Sequence, residues 1–384
     1  MPEMYNKQMG GKRVHILWFI FLLLVTFFGR TVFTTMENQK LRAMIGQMLI
    51  VGFRGTVAAN DSYEAQMIQD IHPGGVILFD YDVPSKSRPR NIVNPQQTQK
   101  LISNVKQYSE IPLFIAVDLE GGMVNRLKPR YGFTDFPSHE ELGEKDNLAE
   151  TEKVSGAIAE ELAGLGFNLN FAPVVDVNIN SRNPIIGSLG RSFSADPVKV
   201  VAHALAFIKG HRAHTVVTAL KHFPGHGSSQ EDSHLGLVDV TQTYQSNEII
   251  PYEEIIAQGM ADMVMTAHIV NRAVDLDFPV TLSTQYIEPI LRRQFGFQGV
   301  VVADDMHMGA IAKNYGFTEA IVKAIQAGSD MLIISNNVDV YDEQAPYEAR
   351  EAIFLAVKNG QISKTRIRES YERIMNLKER FRIL

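Results

Sequence analysis

The 384-residue chain is 45% hydrophobic and 21% charged with a formal net charge of −6, the make-up of an ordinary globular enzyme with ample material for a core. Its basic residues form no long stripe, which argues against nucleic acid as a partner. Cysteine is absent, which excludes disulfides, thiolate metal sites and cysteine nucleophiles together.

At the N-terminus, Lys7, Lys12 and Arg13 precede Ile16–Phe28, an apolar run of thirteen residues broken only by Thr26. A basic flank before a run of this length is the pattern of a signal peptide or short signal-anchor. A full span needs about 20 residues, and Arg30 limits extension. Residues 1–36 are therefore expected to be a signal peptide or membrane anchor, with anchoring through residues 14–33, and residues 37–384 the folded domain. The basic flank keeps the N-terminus inside, so the domain is expected to be exported, either periplasmic or extracellular, or held on the outer side of the cytoplasmic membrane.

From about residue 40 the chain alternates. Short β-rich runs occur at Met48–Phe53, Gly75–Phe79, Leu113–Asp118 and Asn168–Ala172, then at Val216–Lys221, Asp262–Ala267, Gly299–Ala303 and Asp330–Ser335. Several are almost continuously apolar, as strands buried on both faces should be. Helical patterns separate them, among them Glu150–Gly164, Pro197–Ala213, Gln285–Phe295 and Thr318–Ala327. A last helix is expected over Thr365–Phe381, with Ile367, Tyr371, Ile374 and Leu377 on one face. Eight such units predict an α/β fold, a single-domain (β/α)₈ TIM barrel. An open doubly wound sheet is the runner-up, but no Gly-x-Gly-x-x-Gly follows any strand.

Polar residues gather where the strands end: Asp118 and Glu120, then Asp176, Lys221 with His222, His268, and Asp304 with Asp305. Barrel enzymes work at this face. The loop after the fifth strand, KHFPGHGSSQEDSH from Lys221 to His234, is the densest cluster. Its glycines and proline make it a shaped turn. If the stretch is extended, Asp232 and His234 share a side. The carboxylate can then accept from one imidazole nitrogen while the other acts as an acid/base near neutral pH.

That loop resembles the acid/base loop of glycoside hydrolase family 3 β-N-acetylglucosaminidases. Further blocks resemble the family in order: VDLEGGMVNR (117–126), NFAPVVDVN (170–178), NPIIGSLGRSF (183–193), MTAHI (265–269), GVVVADDMHMGAI (299–311) and AGSDMLI (327–333). The resemblance implies a retaining exo-β-N-acetylglucosaminidase of the β-hexosaminidase type, which cuts terminal β-linked N-acetylglucosamine through a covalent glycosyl-enzyme. It implies Asp304 as nucleophile, His234 as acid/base and Asp232 as the residue that orients His234. It also implies a sugar site lined by Asp118, Arg126, Arg191, Lys221 and His222. The expected partner is a carbohydrate, a peptidoglycan (muropeptide) fragment or chito-oligosaccharide, and no cofactor or metal is expected. A β-glucosidase or an N-acetylglucosaminide phosphorylase is the nearer alternative. A metal-dependent barrel hydrolase, with His222, His226, Asp232, His234, His268 and Asp304 as ligands, is the alternative from another class. It lacks the His-x-His pair at the first strand, which ends Val51-Gly52-Phe53-Arg54. A binding protein with a dead site would require Asp304 or His234 to be missing, and both are present.

Overall fold

The computed structural model describes residues 35–233 and 235–384, so both the apolar run of the N-terminus and His234 lie outside the described residues. The chain forms two units, Met1–Ala43 and Met44–Leu384. In the first, the described residues 35–43 are helical. Among the described residues no helix is long and apolar enough to cross a membrane.

The second unit holds eight parallel strands: β1 (Leu49–Gly52), β2 (Gly75–Ile77), β3 (Phe114–Val117) and β4 (Leu169–Asn170), then β5 (Val217–Phe223), β6 (Met263–Thr266), β7 (Val300–Ala303) and β8 (Met331–Ile334). Each pairs with its neighbour in sequence, and β1 pairs with β8 to close the barrel. Seven of the eight apolar runs contain their strand, and β5 continues two residues past the fifth run, to Phe223. Every strand residue is buried, since the inner face packs on the barrel core and the outer face on helices. Closure needs close backbone approach at one point in particular. A Cβ on Gly52 would lie 1.9 Å from the Ser335 carbonyl oxygen, so only glycine fits where β1 meets the end of β8.

Local chemistry sets the helix ends. Asn94 and Asp196 cap the helices Pro95–Gln107 and Pro197–Ala213 through their side chains, each followed by a proline in the first turn. Gly166 and Gly328 end the helices Leu148–Leu165 and Phe317–Ala327 in the left-handed conformation. The helix expected over Gln285–Phe295 is present as Ile287–Gln294 but wound as a π-helix, in which the Phe295 N–H donates to the Ile290 carbonyl.

The amino ends of the strands are tied by buried charge. Asp330, just before β8, accepts from Arg292 at 2.6 Å, Arg373 at 3.0 Å and Ser370 at 2.7 Å. Asp262, just before β6, accepts from Arg212 and Arg380, each at 2.8 Å. Together these contacts dock the last helix, Lys364–Arg380, across the foot of the barrel. In the same helix the buried Lys378 donates to the Gln47 amide oxygen at 2.7 Å and the Pro112 carbonyl at 2.6 Å, 5.1 Å from the Phe114 ring centre. These partners are neutral, and burial pushes the Lys378 amine down to about 7.

A lysine depressed in the fold keeps its ordinary, higher affinity for protons when unfolded. Between about pH 7 and 10 the unfolded chain therefore binds more protons, and stability rises with pH. Lys378→Met should remove that slope, at most about 1.4 kcal/mol per pH unit, from denaturation free energies measured across this range. Parallel pH profiles for the two proteins would contradict the assignment.

Candidate active site

The carboxyl ends of β3, β4 and β5 carry a connected set of charged side chains. Asp118 is the first residue after β3. A short antiparallel pair, Leu119–Gly121 with Val124–Asn125, then folds the chain back so that the Arg126 N–H donates to the Asp118 carbonyl at 3.1 Å. This places the Arg126 guanidinium 3.8 Å from the Asp118 carboxylate. Lys221, inside β5, donates to Asp118 at 2.9 Å and approaches Glu120 at 2.6 Å. Arg191, from the long loop after β4, grips Glu120 with two parallel bonds of 2.8 Å each.

Glu120 is buried, and burial alone would favour its neutral form. Arg191 and Lys221 overcome this and hold the carboxyl well below the usual range. Arg191 also donates to the Ile185 carbonyl at 2.7 Å, and its remaining Nη2 hydrogen faces His222 Nε2 at 3.3 Å. Four of its five N–H donors meet these partners, which leaves one Nη1 hydrogen for a substrate. Lys221 likewise has one hydrogen beyond its two carboxylates.

His222 is fixed from the other side by Asp176, in the segment after β4. The Asp176 carboxylate accepts from the His222 backbone N–H at 3.1 and 3.2 Å, from His222 Nδ1 at 2.7 Å and from the His226 N–H at 2.8 Å. Burial works against the charged form of Asp176, yet His222 and these bonds keep the carboxyl below its ordinary range. With the proton on Nδ1, His222 Nε2 is left to accept from Arg191. His226 bonds Ser229 at 2.6 Å and Ser233 at 3.2 Å through its two ring nitrogens, and burial pushes it down to about 4, so it is neutral near pH 7. Of the His222-x-x-x-His226 pair, His226 is thus engaged within the loop and His222 with Asp176 and Arg191 outside it. Among the described residues no group of three His, Asp or Glu side chains is gathered as metal ligands.

In the acid/base loop the Leu235 N–H donates to the Asp232 carbonyl at 3.0 Å. The residues on either side of position 234 are held to the short helix Gly309–Ala312 and the residue after it, which follow β7. The Ser233 carbonyl accepts from Ala310 N–H at 3.3 Å, and the Leu235 carbonyl from Lys313 Nζ at 3.1 Å.

Asp304 and Asp305 lie immediately beyond β7 rather than within it. Asp305 accepts from the Ser335 N–H at 3.1 Å and from the Ser335 hydroxyl, and from the His307 N–H at 3.2 Å, which ties β7 to β8. The Asp304 carboxylate accepts from the Asp305 N–H at 2.8 Å. His268 is buried, bonded to Thr281 at 2.9 Å and to the Asp305 carbonyl at 3.0 Å, a supporting position.

The structure therefore brings Asp118, Arg126, Arg191, Lys221 and His222 together. It adds two carboxylates absent from the expected sugar site, Glu120 and Asp176. Glu120 was detectable: Asp118-x-Glu120 at a strand end puts two carboxylates on one side, within reach of one lysine. Three carboxylates (Asp118, Glu120, Asp176) face three fixed cations (Arg126, Arg191, Lys221). A pocket so balanced suits a neutral, hydroxyl-rich ligand.

Comparison with known proteins agrees with this chemistry. The family model described as "Glycosyl hydrolase family 3 N terminal domain" matches residues 40–377. Beta-hexosaminidase A of Pseudoalteromonas piscicida is 35% identical over 82% of this chain, which spans only about half, 54%, of that relative. Beta-hexosaminidase of Haemophilus influenzae is 34% identical over 81% of this chain and 91% of its own length. Among solved structures, a glycoside hydrolase family 3 beta-N-acetylglucosaminidase from Paenibacillus superposes with a TM-score of 0.81 at 35% identity, covering 89% of this chain and 62% of that one. The Beta-N-acetylhexosaminidase of Beutenbergia cavernae gives 0.78 at 28% identity, covering 88% and 98%.

Because Glu120 is shut from water between two cations, Glu120→Gln should leave a buried arginine and lysine short of their counter-charge. The expected loss is about 3–5 kcal/mol of unfolding free energy in denaturant titrations. A loss under about 1 kcal/mol would show that the network does not carry the loops.

Proposed function

The chain belongs to glycosyl hydrolase family 3, and on that footing we propose that this β-N-acetylhexosaminidase is a retaining exo-enzyme that releases terminal β-linked N-acetylglucosamine. The observation that carries the reading is the charge-balanced pocket in which Asp118, Lys221, Glu120, Arg191 and His222 form one bonded set at the carboxyl ends of β3 to β5. Asp118 would accept from the outer hydroxyls of the terminal sugar, while Arg126, Arg191 and Lys221 donate to the remaining hydroxyls and the acetamido oxygen.

Asp304 is assigned as the nucleophile that attacks the anomeric carbon and forms the glycosyl-enzyme. Its neighbour Asp305 is committed to Ser335, which favours Asp304 for the reaction. His234 is assigned as the acid that protonates the leaving oxygen and then as the base that activates water, with Asp232 setting its tautomer. The anchoring of Ser233 and Leu235 to the segment that follows Asp304 supports this pairing, since it keeps the loop near the nucleophile's strand end. An imidazole is neutral after it gives up its proton, so it repels an anionic aglycone less than a carboxylate would. That favours carboxylate-bearing peptidoglycan fragments as substrate. The basic flank and apolar run at the N-terminus support export, with the enzyme outside the cytoplasmic membrane.

Asp304→Ala should lower turnover of a chromogenic β-N-acetylglucosaminide about a thousandfold or more, and His234→Ala should cost far more on a poor leaving group than on an activated one. Near-full activity of Asp304→Ala, or equal losses on both substrates for His234→Ala, would refute these roles. Fractionation of cells should find the protein with the membrane or outside it; full-length protein free in the cytosol would refute export.

A further inference from the structure

Two short basic runs that are unremarkable in the sequence, Ser85-Lys86-Ser87-Arg88-Pro89-Arg90 and Arg126-Leu127-Lys128-Pro129-Arg130, meet in the fold. They converge on one carboxylate. Asp80 is buried, with Arg88 Nε at 3.2 Å and Arg130 at 3.8 Å. Burial depresses the Lys128 amine; Asp80 opposes this, while Arg126, Arg130 and Arg88 reinforce it, so the three arginines all act on Lys128. Arg126 pairs with Asp118, which it shares with Lys221. Asp80 supplies one negative charge to the other three cations. The cluster is therefore positive on a chain whose net charge is −6.

The cations are held ready rather than free to collapse. Arg88 lies over the Tyr81 ring at 4.5 Å, Arg126 over Phe79 at 5.7 Å and Arg130 over Tyr131 at 4.9 Å. Stacking fixes each guanidinium plane and leaves its N–H edge available, at little further entropic cost on binding. The Arg126 Nε is shut from solvent without a hydrogen-bond partner, while the Arg88 and Arg130 side chains are 43% and 54% exposed. Through Arg126, 3.8 Å from Asp118, the cluster runs directly into the sugar pocket.

We infer that Arg88, Arg126, Lys128 and Arg130 form an oxyanion-binding extension of the pocket, which takes a saccharide bearing a phosphate, sulfate or carboxylate beyond the outer hydroxyls of its terminal sugar. The orientation rests on the reading of Asp118 given above. The anion sits where the stacked arginines make charge-assisted bonds, on the side of the sugar away from the bond that is cut. The extension discriminates among N-acetylhexosaminides by what their non-reducing end carries.

Calorimetric binding of N-acetylglucosamine 6-phosphate, N-acetylglucosamine and inorganic phosphate to the full chain tests this independently of turnover. The phosphorylated sugar should bind about tenfold tighter than the plain sugar, the margin narrowing in 0.5 M salt. Arg88→Gln/Arg130→Gln should abolish the margin and leave the affinity for N-acetylglucosamine within twofold. Lys128→Gln, which leaves Asp80 its arginines, should cut the margin about threefold and serves where the double variant fails to fold. Equal affinity for both sugars in the wild-type protein would overturn the inference. So would phosphate binding as tightly alone as on the sugar, because the anion would then not be sugar-borne. Turnover of a neutral chromogenic β-N-acetylglucosaminide, measured alongside, tests the hexosaminidase reading, which can fail while the binding margin stands.

Discussion

Glu120 is the point on which the pocket depends. A carboxylate removed from water costs several kcal/mol unless its charge and lone pairs are met. Here they are met from two directions, by Arg191 on the loop after β4 and by Lys221 inside β5, while Glu120 itself follows β3. Three separate segments thus share one charge. Asp176 repeats the device one step around the barrel, where its carboxylate holds His222 and His226 and so fixes both the strand end and the start of the acid/base loop. The residues that would touch a sugar are therefore side arms of a buried lattice, with most donors already spent. That is what preorganisation requires, since groups bonded into the protein need not be reoriented when a ligand arrives.

The barrel was legible because its strands are buried on both faces. Such strands read as unbroken apolar runs, and Val300–Ala303 or Met331–Ile334 admit no other interpretation once eight of them recur. The site was legible in part, through polar residues at the strand ends and the family resemblance of the loop. What escaped was partnership. Nothing in the linear order says that Glu120 will meet Arg191, 71 positions away, or that Asp176 will meet His222, 46 positions away.

Buried charge serves the two ends of the barrel differently. At the foot, Asp262 and Asp330 are saturated by arginines of the outer helices and dock the last helix. At the mouth, the corresponding carboxylates are met by cations that keep a hydrogen or an exposed edge in reserve, as Lys221 and Arg191 do. The chemistry of each pair is the same, an arginine or lysine on an acid. The distinction lies in what the cations face. At the foot five arginines converge on two carboxylates and lie between strands and helices, which makes a joint; at the mouth the cations keep a hydrogen toward the cavity, which makes a binding surface.

A count of cations against carboxylates shows how an acidic protein acquires a basic edge. Near Asp80, Arg54 and Arg90 share one carboxylate, Asp82, with bonds of 2.9 and 2.6 Å. Arg90 is wholly buried. Arg88, Lys128 and Arg130 have only Asp80 among them, and the first and last remain substantially exposed. Proximity of cations is common to both groups. The second group sets three cations around one carboxylate, and that larger surplus, beside Asp118, is what a ligand arriving at this side of the pocket would meet.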